Sequence, residues 1–191
     1  MGVIRQQVTL DELLHMPYGG FRYELVRGDL RRTNPAGNVH GRVTMSLAWR
    51  LARYVEENQL GAVYAAETGF GLSSNPDTVR APDVAFVSRD RIEAIGETEG
   101  FWPEAPELAV EVVSPSYAFA EVEEKVFDWF DAGNRMVFVV NPRQRSAPCT
   151  NHRATSLYWW NPIFWTAETS CLISSWRSGR SSRNQRPRLT R

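Results

Sequence analysis

The chain has 191 residues, enough for one domain with a real core, and its 42% hydrophobic and 12% aromatic content marks a folded globule rather than a disordered chain. Its formal net charge of zero hides an asymmetry: residues 1–143 carry 14 basic and 21 acidic groups, while residues 144–191 carry eight arginines and one acid, Glu168. The acidic bulk argues against broad nonspecific nucleic-acid binding by charge alone, though not against a local basic groove. No run of eighteen apolar residues is present, so no membrane span is expected. The first residues lack the apolar stretch of a secretory signal, and Gln6 stands where a myristoylation motif needs Ser or Thr. Cys149 and Cys171 show neither metal-ligand spacing nor a CxxC pair, so a reducing, cytoplasmic location is the expectation.

Residues 8–15 read as a short helix, capped by Thr9 with Glu12 completing a capping box. FRYELVRGDLRRTN, residues 21–34, reads as a β-hairpin turning at Arg27-Gly28-Asp29. A long amphipathic helix is predicted over residues 38–58, with Asn38 as its cap and Val39, Val43, Leu47, Leu51, Tyr54 and Val55 as its apolar stripe. GAVYAAETGFGLS supplies one or two strands, and APDVAFVS a strand alternating through Val84, Phe86 and Ser88. Residues 89–100 are charged and mobile in character. PELAVEVVSP is a strand ended by Pro115, residues 118–132 a helix stopped by Gly133, and RMVFVVNP a nearly continuous apolar strand of the kind buried on both faces. The strand–helix–strand run over residues 107–140 predicts a right-handed βαβ crossover and a parallel pair. With hairpin-like strands before it, the expected fold is α/β with a mixed β-sheet flanked by helices.

From about residue 144 the character changes. This stretch holds four of the seven tryptophans, both cysteines, and the arginine- and serine-rich RSGRSSRNQRPRLTR. SLYWWNPIFWT suggests a hairpin about Asn161-Pro162, and the final fifteen residues, without periodicity, are expected to be disordered. The domain expectation is therefore a core over residues 1–143 and an atypical tail over residues 144–191. A solvated basic tail, a nucleic-acid-binding arm and the product of a shifted reading frame all stay open for it.

Three acids interrupt apolar strands: Glu24 in RYELV, Asp83 before VAFVS and Glu111 in LAVEVV. On an alternating strand Leu108, Val110 and Val112 face one way, and Ala109, Glu111 and Val113 the other. A carboxylate among such neighbours must be paired, protonated or metal-bound. Lys125 is the only lysine in the chain, and it lies on the apolar stripe Val122, Lys125, Val126, Trp129, Phe130 of the helix that follows Glu111. Singly, Glu111 fits an edge strand or a plain buried Glu–Lys bridge, and Lys125 fits a stem lying along apolar surface. Jointly, the crossover aims Lys125 at the sheet face that carries Asp83 and Glu111. Two carboxylates and an ammonium in one pocket match Mg²⁺- or Mn²⁺-assisted phosphodiester cleavage, in which the acids hold the ion through oxygen and the lysine orients water or meets growing negative charge. His40, in the first turn of the long helix, is a candidate ligand or proton carrier, with a structural role as the alternative; Glu24 has an exposed strand glutamate as its alternative.

RYELVRGDL, AGNVHGRV, RAPDVAFVS, ELAVEVVSPS, EVEEKVFDWFDAG and VFVVNP occur in an order that resembles the Uma2-like endonucleases, restriction-endonuclease-like proteins of the PD-(D/E)xK superfamily. The resemblance covers roughly residues 8–143. It implies a restriction-endonuclease-like core, with Asp83 and Glu111 as metal-binding acids, Lys125 as the active-site lysine, and Glu24 and His40 completing the site. Val113 stands where the superfamily pattern has its lysine, two residues after the acid; the Uma2-like group is similar in placing the lysine on the next helix. After VVNP the resemblance implies a further strand pair, which residues 144–191 match poorly.

The function expected is a Mg²⁺- or Mn²⁺-dependent DNA endonuclease, and cutting both strands admits a homodimer. The alternative is a catalytically inactive nuclease-fold protein acting in protein or nucleic-acid binding; a hydrolase of other phosphoesters is a third reading. Arg27, Arg31, Arg32, Arg42, Arg50 and Arg53 are the arginines that a DNA-binding stripe would draw on.

Overall fold

The computed structural model describes residues 7–17, 19–114, 119–144, 146–151 and 154–159. The capping box forms as the sequence predicts: the Thr9 side chain accepts from the Glu12 N–H, the Glu12 carboxylate accepts from the Thr9 N–H, and α1 runs Leu10–Leu14. The hairpin is β1 (Arg22–Val26) and β2 (Asp29–Thr33). Its turn holds Arg27 and Gly28 at φ 50° and 81°, the left-handed pair that matches strand twist. The long helix α2 (Asn38–Glu57) buries Val43, Leu47, Leu51 and Val55. Two details differ from expectation. Gly37, extended at φ −73° and ψ 166°, is the cap, since Asn38 is already helical; and Val39 is exposed, so the buried stripe begins one turn later.

Next come β3 (Gly61–Ala65), β4 (Phe70–Ser73), β5 (Thr78–Arg80), β6 (Val84–Ser88), α3 (Arg89–Ile95) and β7 (Leu108–Val112). They are followed by α4 (Phe119–Asp131), β8 (Met136–Val140), β9 (Ser146–Asn151) and β10 (Ala154–Trp159). The strands form a six-stranded sheet, ordered β10-β9-β8-β7-β6-β3, and a four-stranded sheet, ordered β2-β1-β5-β4. In the larger sheet β7 and β8 are parallel, as the βαβ reading requires, and the other pairs are antiparallel. The sheet is thus mixed and flanked by helices. No described helix is long and apolar enough to cross a membrane.

The strand β7 is buried throughout because both of its faces are covered. Leu108, Val110 and Val112 pack with Val84, Phe86, Met136, Phe138 and Val140 against the α2 stripe. Ala109 shares the opposite layer with Ala85, Val87 and Val137, covered by Trp129 of α4, Phe70 and Trp102. The charged stretch expected to be mobile instead forms α3, whose Ile92 and Ile95 pack on that second layer. The strand pair implied after VVNP is present as β9 and β10, inside the stretch set apart as atypical. β9 joins β8 through Val137↔Thr150 and Phe138↔Cys149. Ser156–Trp159 return along Ser146–Cys149, with Ser156 opposite Cys149 and Trp159 opposite Ser146. That segment therefore belongs to a hairpin closing before Ala154; Asn161-Pro162 and the final arginine-rich stretch lie outside the described residues.

Gly61 fixes the start of β3 where it leaves α2. Its φ is +151°, and a Cβ there would lie 2.1 Å from the Val87 carbonyl oxygen across the β3–β6 pairing. Backbone cannot yield as a side-chain tip can. Gly61→Ala is expected to destabilise the fold by about 1–3 kcal/mol or more, read as a lowered urea midpoint with unchanged slope.

Candidate active site

Asp83 sits in the loop that enters β6. Its N–H donates to the Val110 carbonyl at 3.0 Å, and its Oδ2 accepts from the Val112 N–H at 2.7 Å. Extending the Val84↔Val110 register places Asp83 across from Glu111. Like charges opposite each other destabilise a strand pair, so the arrangement calls for compensating positive charge.

That charge comes from α4. Lys125 and Trp129 are one helical turn apart on one face, and both reach Glu111. The Trp129 Nε1–H donates to Glu111 Oε1 at 2.9 Å, and Lys125 Nζ lies 3.5 Å from Oε2. The ammonium also donates to Glu24 Oε1 at 2.9 Å. Its side chain is 13% exposed, so the amine points into the site rather than to bulk water. His40 completes the group from the first turn of α2, with Nε2 3.0 Å from Asp83 Oδ2. Glu24, His40, Asp83, Glu111 and Lys125 all line one open cleft of about 520 Å³.

The electrostatics follow from burial. Burial pushes the Glu111 carboxyl up to about 7; Lys125 pulls it down, Asp83 and Glu24 push it further up, and the Trp129 hydrogen bond lowers it. Burial also raises Glu24, but Lys125 and Arg80, through charge and hydrogen bonds, outweigh that and hold it below its ordinary value. The hydrogen bond to Asp83 raises His40, burial opposes this, and the charges of Asp83 and Glu111 add to the rise. Among the described residues no group of three or more His, Cys, Asp and Glu side chains is placed to hold a metal ion by itself.

A pH dependence follows. Glu111 has a raised folded pKa, so its contribution to stability is complete below its unfolded value and is lost as pH rises through about 7. His40 is raised too, so its contribution disappears as pH rises through its own folded pKa. In metal-free buffer, melting temperature is expected to fall between about pH 5 and 8, and Glu111→Gln to flatten that fall. Melting curves in a chelator-treated buffer series check it; a wild-type curve that rises over this window would contradict the charge balance described.

Two further residues belong to this cluster. Arg80, on β5 and 2% exposed, donates through Nη1 to Glu24 Oε2 at 2.9 Å and through Nε to Asp128 Oδ2 at 2.9 Å. Asp128, on α4, also accepts from Arg27 Nη2 at 3.2 Å. The sequence carries a faint mark of both: Asp128 lies three residues after Lys125, and Arg80 heads the segment Arg80-Ala81-Pro82-Asp83. The expected arginine stripe is only partly assembled. Arg27 and Arg31 pair with α4 carboxylates, Arg31 with Glu124 through two bonds, and Arg53 pairs with Glu57. Arg32 lines the cleft, as does Arg22, which was not in that set.

A mixed sheet with a βαβ unit, carrying buried acids and a lysine in one cleft, defines a restriction-endonuclease-like fold. The Uma2 family, described as "Putative restriction endonuclease", matches residues 10–158. The chain belongs to that family, and membership supports a nuclease function. A "putative nuclease belonging to DUF820" from Anabaena variabilis has a crystal structure similar to this one, with TM-score 0.70 and 18% identity over 88% of this chain and 98% of that one. No curated protein matches the chain.

Proposed function

We propose that this protein is a metal-dependent endonuclease that hydrolyses DNA phosphodiester bonds. The observation that carries the reading is the Lys125 ammonium held between Glu24 and Glu111 in the cleft that Asp83 also enters. Carboxylate oxygens are the donors a hard divalent cation prefers, and a buried glutamate titrating near 7 opposite a second acid is short of positive charge. The residues present therefore fit Mg²⁺ or Mn²⁺, which Asp83 and Glu111 would hold. Bound there, the ion would polarise a phosphate and lower the pKa of a water molecule.

The chain's own groups do the rest. Glu24, fixed by Arg80, holds Lys125 so that its ammonium faces the cleft and meets negative charge growing on the phosphate. Trp129 holds the Glu111 carboxylate in place. His40, whose affinity for a proton the hydrogen bond to Asp83 raises, is the acid or base for the leaving or attacking oxygen.

A second reading has a specific observation behind it. The same Lys125–Glu24–Arg80 chain of ion pairs is a complete buried network, of the kind that orders a core without catalysis. The tests separate the two. On the endonuclease reading, millimolar Mn²⁺ or Mg²⁺ raises the wild-type melting temperature by mass action, most above pH 7 where Glu111 is ionised, and Glu111→Gln removes the shift. The same preparation should cut plasmid DNA with ion present and not with chelator. A protein that gains no stability from either ion and leaves DNA intact would be the non-catalytic member.

A further inference from the structure

We infer that the cleft carries a nucleobase subsite next to the carboxylates, so that the strand presented to the site is single or locally unpaired; the inference rests on the nuclease reading and deepens it. Two observations lead to it. First, the cleft has two chemistries. Its lining includes Glu24, Asp83, Glu111 and Lys125, and also the apolar Leu14, Phe21, Tyr23 and Phe101. Leu14 and Phe21 are 40% and 38% exposed, large apolar surface facing solvent beside a charged centre. Second, the apolar lining carries a cation in stacking geometry: the Arg32 guanidinium carbon lies 3.1 Å from the Phe21 ring centroid. Phe21 and Tyr23 meet edge to face, with centroids 6.4 Å apart.

Arg22, Tyr23 and Glu24 are consecutive on β1, and Tyr23 pairs with Arg32 on β2. Phe21 lies just before β1, roughly 10 Å along the chain from Glu24 at about 3.3 Å per residue, and the two line the same cleft from opposite faces at the end of the strand. Aromatic rings and arginine planes are the surfaces on which unstacked bases rest, tolerant of sequence because every base has a π-face. Paired bases in a duplex keep their faces stacked on one another and offer none to such a wall. Arg22 and Arg32 supply the positive charge for the flanking phosphates.

The test uses the full chain, a fluorescein-labelled single strand, the same strand in duplex, and a single strand with abasic positions, in chelator so that no cleavage intervenes. Anisotropy is expected to show tighter binding of the single strand than of the duplex. Phe21→Ala should weaken single-strand binding by about tenfold and leave the duplex and the salt dependence unchanged. The abasic strand should bind both proteins equally. Arg32→Ala should weaken the single strand and also reduce the salt slope. Equal affinity of wild type and Phe21→Ala for the single strand, with both melting normally, would overturn the subsite. If wild-type protein cuts single-stranded DNA with metal present and Phe21→Ala binds and cuts that strand equally, the subsite fails while the nuclease reading stands. If no substrate is cut but Phe21 governs single-strand affinity, the subsite stands and the nuclease reading fails.

Discussion

Lys125→Met is expected to lower the rate of DNA cleavage by about 10³ while leaving the protein folded. Methionine keeps the length and apolar character of the lysine stem, so packing along α4 survives. Glu24 keeps its bonds from Arg80 and the Ala81 N–H. Glu111 keeps the Trp129 indole, but it loses the cation whose charge lowers its pKa. Its carboxyl should therefore titrate higher than in the wild type, and the stabilisation by Mn²⁺ should move to higher pH. The loss should appear in the single-turnover rate at saturating metal rather than in DNA affinity, because one ammonium among many phosphate contacts contributes little to binding. Lys125→Arg should recover little, since a planar fork does not present one compact charge between two carboxylates. A Lys125→Met protein that cuts within tenfold of wild type would remove the ammonium from the chemistry and leave it as a core ion pair.

How much of this was legible beforehand depends on what each residue's environment prints into the chain. Lys125 was legible because a helix writes its buried face at fixed spacing, and a lone cation in that spacing stands out. Glu111 was legible because β7 is apolar on both faces, so an acid among valines has no bland neighbour to hide among. The β7–α4–β8 crossover was legible because both strands are short continuous apolar runs flanking an amphipathic helix. Arg80 was not, because β5 has three residues, too few for any period, and its ion-pair partner Glu24 comes from a hairpin more than fifty positions away. Asp128 is hidden for the opposite reason: it lies in a helix full of acids, and only the fold shows that it is buried while Glu123 is exposed. The β9 strand resisted because its alternation is broken by Pro148 and polar residues, and its place at β8 is set by pairing rather than by pattern.

Arg80→Met should cost about 3–5 kcal/mol of stability, the largest loss expected of any single substitution in the site. The reason is what it leaves behind. Arg80 is the cation shared by Glu24 and Asp128, all three nearly free of solvent. Methionine fills the space but strands two buried carboxylates, of which Glu24 retains Lys125 and Asp128 retains only the half-exposed Arg27 among the pairs described. Glu24 sits below its ordinary pKa in the intact protein, so its contribution is present above the unfolded value and is lost as pH falls through the folded one. The gap between Arg80→Met and wild type should accordingly be widest near neutral pH and narrow as the carboxyls protonate. Arg80→Lys should recover only part, since one ammonium cannot reproduce bonds from Nε and Nη1 to two acids at once. Adding Asp128→Leu to Arg80→Met should restore stability relative to the single variant, because the stranded charge is gone. The contrast with Lys125 is the decisive one: both cations touch Glu24, one from behind and one from the cleft. Urea melts and single-turnover rates on the two variants should therefore separate, stability falling for Arg80 and rate for Lys125. Should Arg80→Met melt like wild type across the pH range, the buried network would have to be held together by Lys125 alone.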